Sequence, residues 1–416
     1  MTKTSYTLLV SIIAIGIIGC DKSLVPNDSM DDAVKSIPFE TTKSQDSFIK
    51  ANNEFTFDLL RALLENKQYE RKDFMLSPLS IGFTLSALSN GAEGLTQKQI
   101  LDVLGYESNS TSQANEYCKF MLDGCNAVDE KVSLGIHTAL VSNKDYALKH
   151  AFVESMESYY DAYVKSCDFA EKSSLDMINN WAHKKTNGMI PCVLETLNAE
   201  TAMILLNCID FKARWTNEFL LKNTKKEAFT DIDGNTQEIM MMTRLSNETI
   251  IDNGSWKVLR LPFGRGYYNM YILLPAEGEH VSSMINKINE SSWIATQSSM
   301  KQRKVDLKIP KFETVTSISL NDALQSLGIC EIFSSESADF SAMAAKGLYV
   351  NQFEQKSKIK VDEEGVEAAS ITNAQLDGVD FPNENEIIEF HANRPFAYLI
   401  QESSSNAIFF AGVKCK

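Results

Sequence analysis

The stretch Asp362–Glu386, DEEGVEAASITNAQLDGVDFPNENE, decides how this chain is read. Its glycine and proline punctuation and its acidic tail mark an exposed loop. Its first half is nevertheless written like a strand. Val366, Ala368, Ser370, Thr372, Ala374 and Leu376 carry no charge and are mostly small. The interleaved Glu367, Ala369, Ile371, Asn373, Gln375 and Asp377 are more polar, with Ile371 the exception. Period-two alternation is what a half-buried strand requires. A loop that carries it is soluble in one state and able to join a sheet in another.

Around this stretch the bulk properties are those of a globular protein. Hydrophobic residues make up 44% of the 416 and charged ones 23%, enough for a large core. Length alone suggests two or three domains as a starting estimate. A net charge of −15 speaks against a nucleic-acid partner, which requires clustered Lys and Arg. Its simplest consequence is solubility.

The N-terminus reads as a targeting segment. Lys3 precedes an apolar run from Tyr6 to Ile18, which is short for a membrane span. It ends in Ile17-Ile18-Gly19-Cys20. This resembles the bacterial lipobox, which implies cleavage before Cys20 and lipidation of its thiol. Ser23 to Gln45 is polar and acid-leaning, with Pro26 and Pro38, and reads as a tether. The expected organisation is a signal peptide over 1–19, a lipidated tether over 20–46 and a folded domain over 47–416. The anchor places the protein in the bacterial cell envelope, in the outer membrane, facing either the periplasm or the exterior. The seven cysteines after Cys20 are scattered and odd in number, so most are expected as small buried hydrophobes. Cys118 and Cys125 are the only near neighbours and the one pair considered for a bridge.

No catalytic constellation emerges. His137, His150, His183, His280 and His391 form no metal-ligand motif with other His, Cys or carboxylates, so no metal and no cofactor are expected. GxSxG, Walker and GxGxxG patterns are absent. Ser47–Lys50 and Ser298–Lys301 match SxxK, but no SDN or KTG accompanies them, and Lys185-Thr186-Asn187-Gly188 only imitates KTG. The chain reads as a protein that works by binding or by changing shape, not as an enzyme.

Along the chain, Phe48–Glu65 has helical spacing, with Asn52 or Asn53 as a cap. Phe74–Ile81 is an apolar strand broken at Pro78, after which Ser80 caps a helix stopped at Asn90-Gly91. Leu175–Gly188 reads as a helix and Thr201–Phe211 as a buried strand. Strands flank Phe263-Gly264-Arg265-Gly266 from Lys257 to Pro275, and Val305–Phe312 alternates as another. Ser319–Leu327 is helical and stops at Gly328. Lys356–Glu363 and Phe396–Val413 are strands on either side of the opening loop. Helices first and strands later suggest an α+β fold with large antiparallel sheets.

These landmarks, in order, resemble the serpin family of serine protease inhibitors from about Phe48 to Val413. Phe74–Ile81 resembles the family's NxxFSPxSI, and Asn90-Gly91-Ala92 with Thr96 and Ile100 resembles LGAxGxTxxQI. Asn179-Asn180-Trp181 with Thr186–Ile190 resembles INxWVxxxTxGxI. Leu206-Asn207 with Phe211–Trp215 resembles LVNAIYFKGxW. Pro310-Lys311-Phe312 and Ala338–Ser341 resemble LPKF and ADFS. Asp362–Gly365 with Glu367-Ala368-Ala369 resembles the hinge DExGTEAAAAT. Arg394-Pro395-Phe396 and Phe409–Gly412 resemble HPFxF and LFxGxV.

The resemblance implies the serpin fold: large mixed and antiparallel β-sheets, helices packed around them, and an exposed reactive loop over about 363–388. It implies a monomer that traps serine proteases. Cleavage of the loop lets its N-terminal half enter the main sheet, carrying the acylated protease with it. Strand insertion is the family's known mode of action, and the residues here fit it. The inward set is uncharged, as burial requires. A strand of about a dozen residues, at about 1 kcal/mol per hydrogen bond, gains on the order of ten kcal/mol. That rivals a whole domain's stability, so the uncleaved form is a kinetic trap.

By the same resemblance the hinge is Glu363, Glu364, Gly365, Val366, Glu367, Ala368, Ala369 and Ser370. The sheet-opening region is Ser77, Ser80, Asn207, Trp215 and Gln355. Two positions depart from the family. Val366 stands where Thr or Ser is usual, and Gln355 where His is frequent. Counting forward from Gly365 puts the scissile bond at Val379-Asp380, while counting back from Pro395 lands near Glu384, so the loop carries an insertion. Leu376 and Phe381 are the runners-up. Val379 suits an elastase-like protease first; subtilisin- or chymotrypsin-like enzymes come second. No Lys or Arg occurs from Val361 to Ile388, which disfavours trypsin-like targets. The other reading is a serpin fold used without inhibition, as a carrier or surface-binding protein.

Overall fold

The computed structural model describes residues 36–188, 190, 192–366 and 387–416. Cys20 and the loop positions Glu367–Ser370, Leu376, Val379, Asp380 and Phe381 lie outside the described residues. Ser36–Lys416 forms one compact unit.

The first half is mainly helical. It runs α1 (Lys43–Glu65), β1 (Phe74–Leu76), α2 (Pro78–Ser89), α3 (Gly94–Val103), α4 (Thr111–Gly124), β2 (Val132–Asn143), α5 (His150–Tyr160), β3 (Tyr163–Cys167) and α6 (Lys172–Lys185). The second half is mainly strands: β4 (Met203–Arg214), β5 (Lys225–Thr230), β6 (Thr236–Asp252), β7 (Trp256–Pro262) and β8 (Tyr268–Pro275). There follow α7 (Val281–Ile285), α8 (Glu290–Ser299), β9 (Lys301–Pro310), β10 (Phe312–Ser319) and α9 (Asn321–Leu327). The chain closes with β11 (Phe353–Val361), β12 (Gly365–Val366), β13 (Ile388–His391), β14 (Phe396–Glu402) and β15 (Ile408–Lys414).

The local starts and stops have identifiable causes. α1 begins at Lys43 because Thr42 and Gln45 form a reciprocal capping box. Asn52 and Asn53 are therefore not caps but buried interior residues. Asn53 donates to the Asn406 carbonyl at 2.9 Å and accepts from the Ile408 amide at 3.0 Å. The expected tether boundary at residue 46 falls inside this helix. The chain is already packed at Phe39, whose ring meets Phe120 at 5.3 Å and whose amide donates to Ser404 Oγ at 2.9 Å. α2 is capped by Ser77, not Ser80, with Pro78 in the first turn, where its missing N–H costs nothing. Gly328 ends α9 at φ +113°, a conformation that favours glycine.

Two sheets organise the molecule. One has nine strands in the order β1-β15-β14-β8-β7-β6-β9-β13, with β5 on β6. The other has six, in the order β10-β11-β12-β4-β2-β3. α2 lies between them and is buried along its whole length, which explains why it shows no polar face. Most pairs are antiparallel, but β2 with β3, β9 with β13 and β11 with β4 are parallel. β11 alternates buried and half-buried residues without a break, so its odd-numbered side chains face the core. A second, smaller apolar cluster lies on the opposite face of the six-stranded sheet. There Ile178 and Ala182 of α6, with Ile190 and Val193, cover Leu206 and Cys208 of β4. All seven described cysteines are free, so Cys118 and Cys125 are not bridged, and Cys192 and Cys330 are exposed.

Candidate functional site: a hinge seated in a parted sheet

The six-stranded sheet is continuous at one end of β4 and β11 and parted at the other. Phe353–Lys356 of β11 pair directly with Leu205–Cys208 of β4. Beyond that point the two strands separate. Gly365 and Val366 sit between them, with Val366 opposite both Val361 and Ala213 and Gly365 opposite Arg214. Val366 is 2% exposed, so an apolar β-branched residue suits this position. Gly365 has φ +151°, and a Cβ there would stand 2.1 Å from the Ala213 carbonyl oxygen. Only glycine lets the chain turn this close to β4.

The turn that delivers β12 is acidic and is held by cations from three separate segments. Arg214 of β4 meets Glu364 at 3.0 Å, Lys311 meets Glu363 at 2.7 Å, and Lys360 of β11 meets Asp362 at 3.3 Å. The backbone is held as well. The Trp215 amide donates to the Glu364 carbonyl and its indole N–H to the Asp362 carbonyl, both at 2.9 Å. The Phe219 amide donates to the Glu363 carbonyl at 2.9 Å. Trp215 is itself fixed by stacking on Phe263, 4.4 Å between centroids. Burial works to raise the Glu363 carboxyl. The Lys311 ammonium, with the backbone N–H and Thr224 hydroxyl, outweighs it and holds the group below its usual range.

Where β4 and β11 still touch, the side chains on the core-facing side are neutral and buried. Gln355 and Asn207 face each other in register. Gln355 Oε1 accepts from the Ser77 amide at 2.7 Å, and its Nε2 donates to Asn207 Oδ1 at 3.0 Å and to the Ser77 carbonyl at 3.3 Å. Ser80 Oγ donates to the same Asn207 oxygen at 2.6 Å, while Asn207 Nδ2 donates to Thr84 Oγ1 at 3.1 Å. Ser77 Oγ donates to the Phe409 carbonyl at 2.7 Å, tying the N-terminus of α2 to β15. All five side chains are at most 2% exposed, and none of them titrates.

The structure thus brings Ser77, Ser80, Asn207 and Gln355 into one network. It places Trp215 with Glu363, Glu364, Gly365 and Val366 in a second. Sequence reading missed Thr84, Arg214, Lys311 and Lys360. It also missed Asn179 of α6, which accepts from the Val193 and Leu194 amides and donates to the Leu194 carbonyl. That clamp lays residues 193–194 over β4, and Lys356 of β11 reaches the Cys192 carbonyl at 3.5 Å. Lys311, Arg214 and Asn179 lie within the motifs Pro310-Lys311-Phe312, Phe211–Trp215 and Asn179-Asn180-Trp181, a signal that could have found them. The arrangement is a sheet whose strands β4 and β11 pair directly at one end and are parted by β12 at the other.

Comparison with known proteins agrees with this geometry. The family model described as Serpin (serine protease inhibitor) matches residues 50–416. Human Serpin B4 is 30% identical over 390 residues, covering 88% of this chain and 98% of that protein. An uncharacterized serpin-like protein of Methanosarcina mazei is 27% identical over 423 residues, covering 99% of this chain and 97% of the other. Among solved structures, the native state of the thermophilic serpin tengpin superposes with a TM-score of 0.82 at 27% identity, over 92% of this chain and 97% of that one. Thyroxine-binding globulin in complex with thyroxine gives 0.78 at 25% identity, over 88% and 98%.

Proposed function

The chain belongs to the serpin family, and from that membership we propose that it is a suicide inhibitor of serine proteases, with an elastase-like enzyme as its first target. The observation that carries the reading is β12, seated between β4 and β11 with Val366 facing the core. The register it sets can be continued. The inserting strand would bring Glu367 between Lys360 and Lys212, and Ala368 between Ile359 and Phe211. Ser370 would come between Ser357 and Ile209. Up to there no existing strand pair has to break. From Ile371 onward, each step would separate one of the direct pairs that run from Lys356–Cys208 to Phe353–Leu205.

The chemistry is that of an interrupted hydrolysis. The protease serine oxygen attacks the carbonyl carbon of Val379. The bond to the Asp380 nitrogen breaks, the leaving amine takes a proton from the protease histidine, and an ester joins Val379 to the serine. Insertion then competes with water for that ester. The serpin fold alone does not decide for inhibition, since thyroxine-binding globulin shares it and binds thyroxine. The small, uncharged inward set after Gly365 favours inhibition over the carrier reading.

Incubation with pancreatic elastase tests this. The expected result is an SDS-stable complex, a released peptide beginning at Asp380, and a melting point raised by at least about ten degrees in the cleaved form. A peptide beginning at Asp377 or Pro382 would move the bait to Leu376 or Phe381. Cleavage with neither complex nor a raised melting point would favour the carrier. We also propose lipidation at Cys20 and residence in the bacterial cell envelope, on the strength of Ile17-Ile18-Gly19-Cys20. Cys20→Ala is then expected to leave the membrane fraction, and retention after a high-salt wash would refute the anchor.

A further inference from the structure

Glu290 opens α8 and is the only charged residue of that helix. It is 7% exposed, and Asn53 joins it to the turn between β14 and β15, so its carboxylate lies where α1, α8 and that turn meet. Glu290 Oε1 accepts from Asn53 Nδ2 at 3.4 Å, a long bond, and Oε2 has no hydrogen-bond partner among the described residues. Asn53 is committed to the turn as well, through the Asn406 carbonyl and the Ile408 amide. A second carboxylate stands at the same helix end, because the Glu290 amide donates to Glu54 Oε2 at 2.8 Å. Arg61 of α1 does not neutralise Glu290. It pairs with Asp58, reaches Glu54 at 3.6 Å and donates to the Ile288 carbonyl at 2.7 Å. Glu402, buried at the end of β14, shows the contrast: its two oxygens accept four bonds of 2.6–2.7 Å from Ser404 and Ser405. α8 is fixed to the sheet independently by Trp293, whose indole N–H donates to Gln401 at 3.1 Å.

We infer that Glu290 makes this joint proton-sensitive: with a proton on its carboxylate α1, α8 and the β14–β15 turn close tightly, and with a charge there they part more readily. An ionised carboxylate buried without partners is costly, and a neutral one much less so. A place in the first turn of α8 favours the charge, but only by about 1 kcal/mol or less at such a site, so burial decides. Burial pushes the Glu290 carboxyl from 4.5 up to about 7; the charge of Glu54 adds to the rise, while Asn53 and Lys50 oppose it. A group raised in the folded state contributes fully below its unfolded value and loses that contribution as pH rises through the folded one. The joint is therefore firmest in mild acid, weakens across neutrality and is weakest above about 7. This is the reverse of the hinge turn, where Glu363 is held below its usual range and the contribution is lost in acid.

The test follows amide exchange and melting of the uncleaved protein between about pH 5.5 and 8, in wild type, Glu290→Gln and Glu54→Gln. The Ile408 amide, which donates to Asn53, reports on the joint directly. Corrected for the pH dependence of free amides, its exchange in wild type should quicken by about tenfold over this range. Glu290→Gln, permanently neutral and of the same shape, should abolish that step. It should also melt about two degrees above wild type at the alkaline end, with the gap narrowing toward acid. Glu54→Gln removes the neighbouring charge and should move the wild-type step to lower pH without abolishing it. A step that persists unchanged in Glu290→Gln would assign the titration to another group and overturn the inference. So would the absence of any step at Ile408 in wild type. Should Glu290→Gln fail to fold, the comparison of wild type with Glu54→Gln decides, and an unmoved midpoint would overturn the inference.

Discussion

The hinge turn and the latch lie on the same two strands and are built from opposite chemistry. At the hinge, Asp362, Glu363 and Glu364 meet Lys360, Lys311 and Arg214 at the rim of the sheet. At the latch, Gln355, Asn207, Ser77, Ser80 and Thr84 bond one another in a fully buried network without a formal charge. Charged rim pairs are individually weak and respond to salt and pH. Buried neutral networks are insensitive to both, and each member is costly to remove because it strands its partners. The sheet is therefore easy to adjust at the hinge turn and hard to open where the strands still touch. That division suits the proposed inhibitor, which would have to wait for cleavage before its loop inserts.

The largest effect is expected where the backbone itself makes the contact. Gly365→Val drives a side chain into the Ala213 carbonyl and imposes a disfavoured φ, together costing at least about 3 kcal/mol. Amide exchange at Val366 should rise by about a hundredfold or more as β12 leaves the sheet. Unchanged protection there would mean that the hinge is not held between β4 and β11. Next comes the latch. Gln355→Ala leaves the Ser77 amide unpaired in a buried site and frees one of the bonds to Asn207, a loss of about 2–3 kcal/mol. Uncleaved protein should then convert on warming to a form that no longer traps protease, at a lower temperature than wild type; an unchanged conversion temperature would deny the latch its role.

Gln355→His sharpens the contrast. An imidazole accepting the Ser77 N–H must be neutral, so its folded pKa falls below the ordinary value of about 6.5. Its stability contribution is present above that value and lost as pH falls through the folded one. Wild type, with no titrating group in the latch, should show no such step. The smallest effect belongs to the rim. Glu363→Gln removes the charge facing Lys311, which weakens the turn by about 1 kcal/mol. Because Glu363 is held below its usual range, its contribution is present above the unfolded value and declines as acid titrates the folded carboxylate. Melting curves from pH 3 to 7 should therefore converge for wild type and Glu363→Gln at the acid end. Parallel curves would assign the hold to the backbone bonds of Trp215 and Phe219 alone.

Much of this fold is legible in the sequence. The apolar run at β4, the turn at Phe263–Gly266 and the stop at Gly328 are local signals, and each reappears in the structure. The differences are local as well. Thr42 with Gln45 is a capping box hidden in a polar stretch that reads as linker, and Ser77 and Ser80 on either side of Pro78-Leu79 are both serines that could cap the helix. At the site, Ser77, Asn207 and Gln355 could be nominated only through the family resemblance. Nothing local in Gln355 says that it bonds the Ser77 amide, 278 residues away.

The sequence by itself determined the broad order of helices before strands and the alternating, uncharged pattern of the loop after Gly365. Periodicity, side-chain size and charge are properties of neighbours along the chain. Tertiary structure alone decided that β4 and β11 are paired over four residues and parted beyond them. It alone set Arg214 against Glu364, 150 residues apart, and laid residues 193–194 over β4. Ion pairs and buried amide networks depend on distance and on exclusion of water, and both exist only after the sheets have packed.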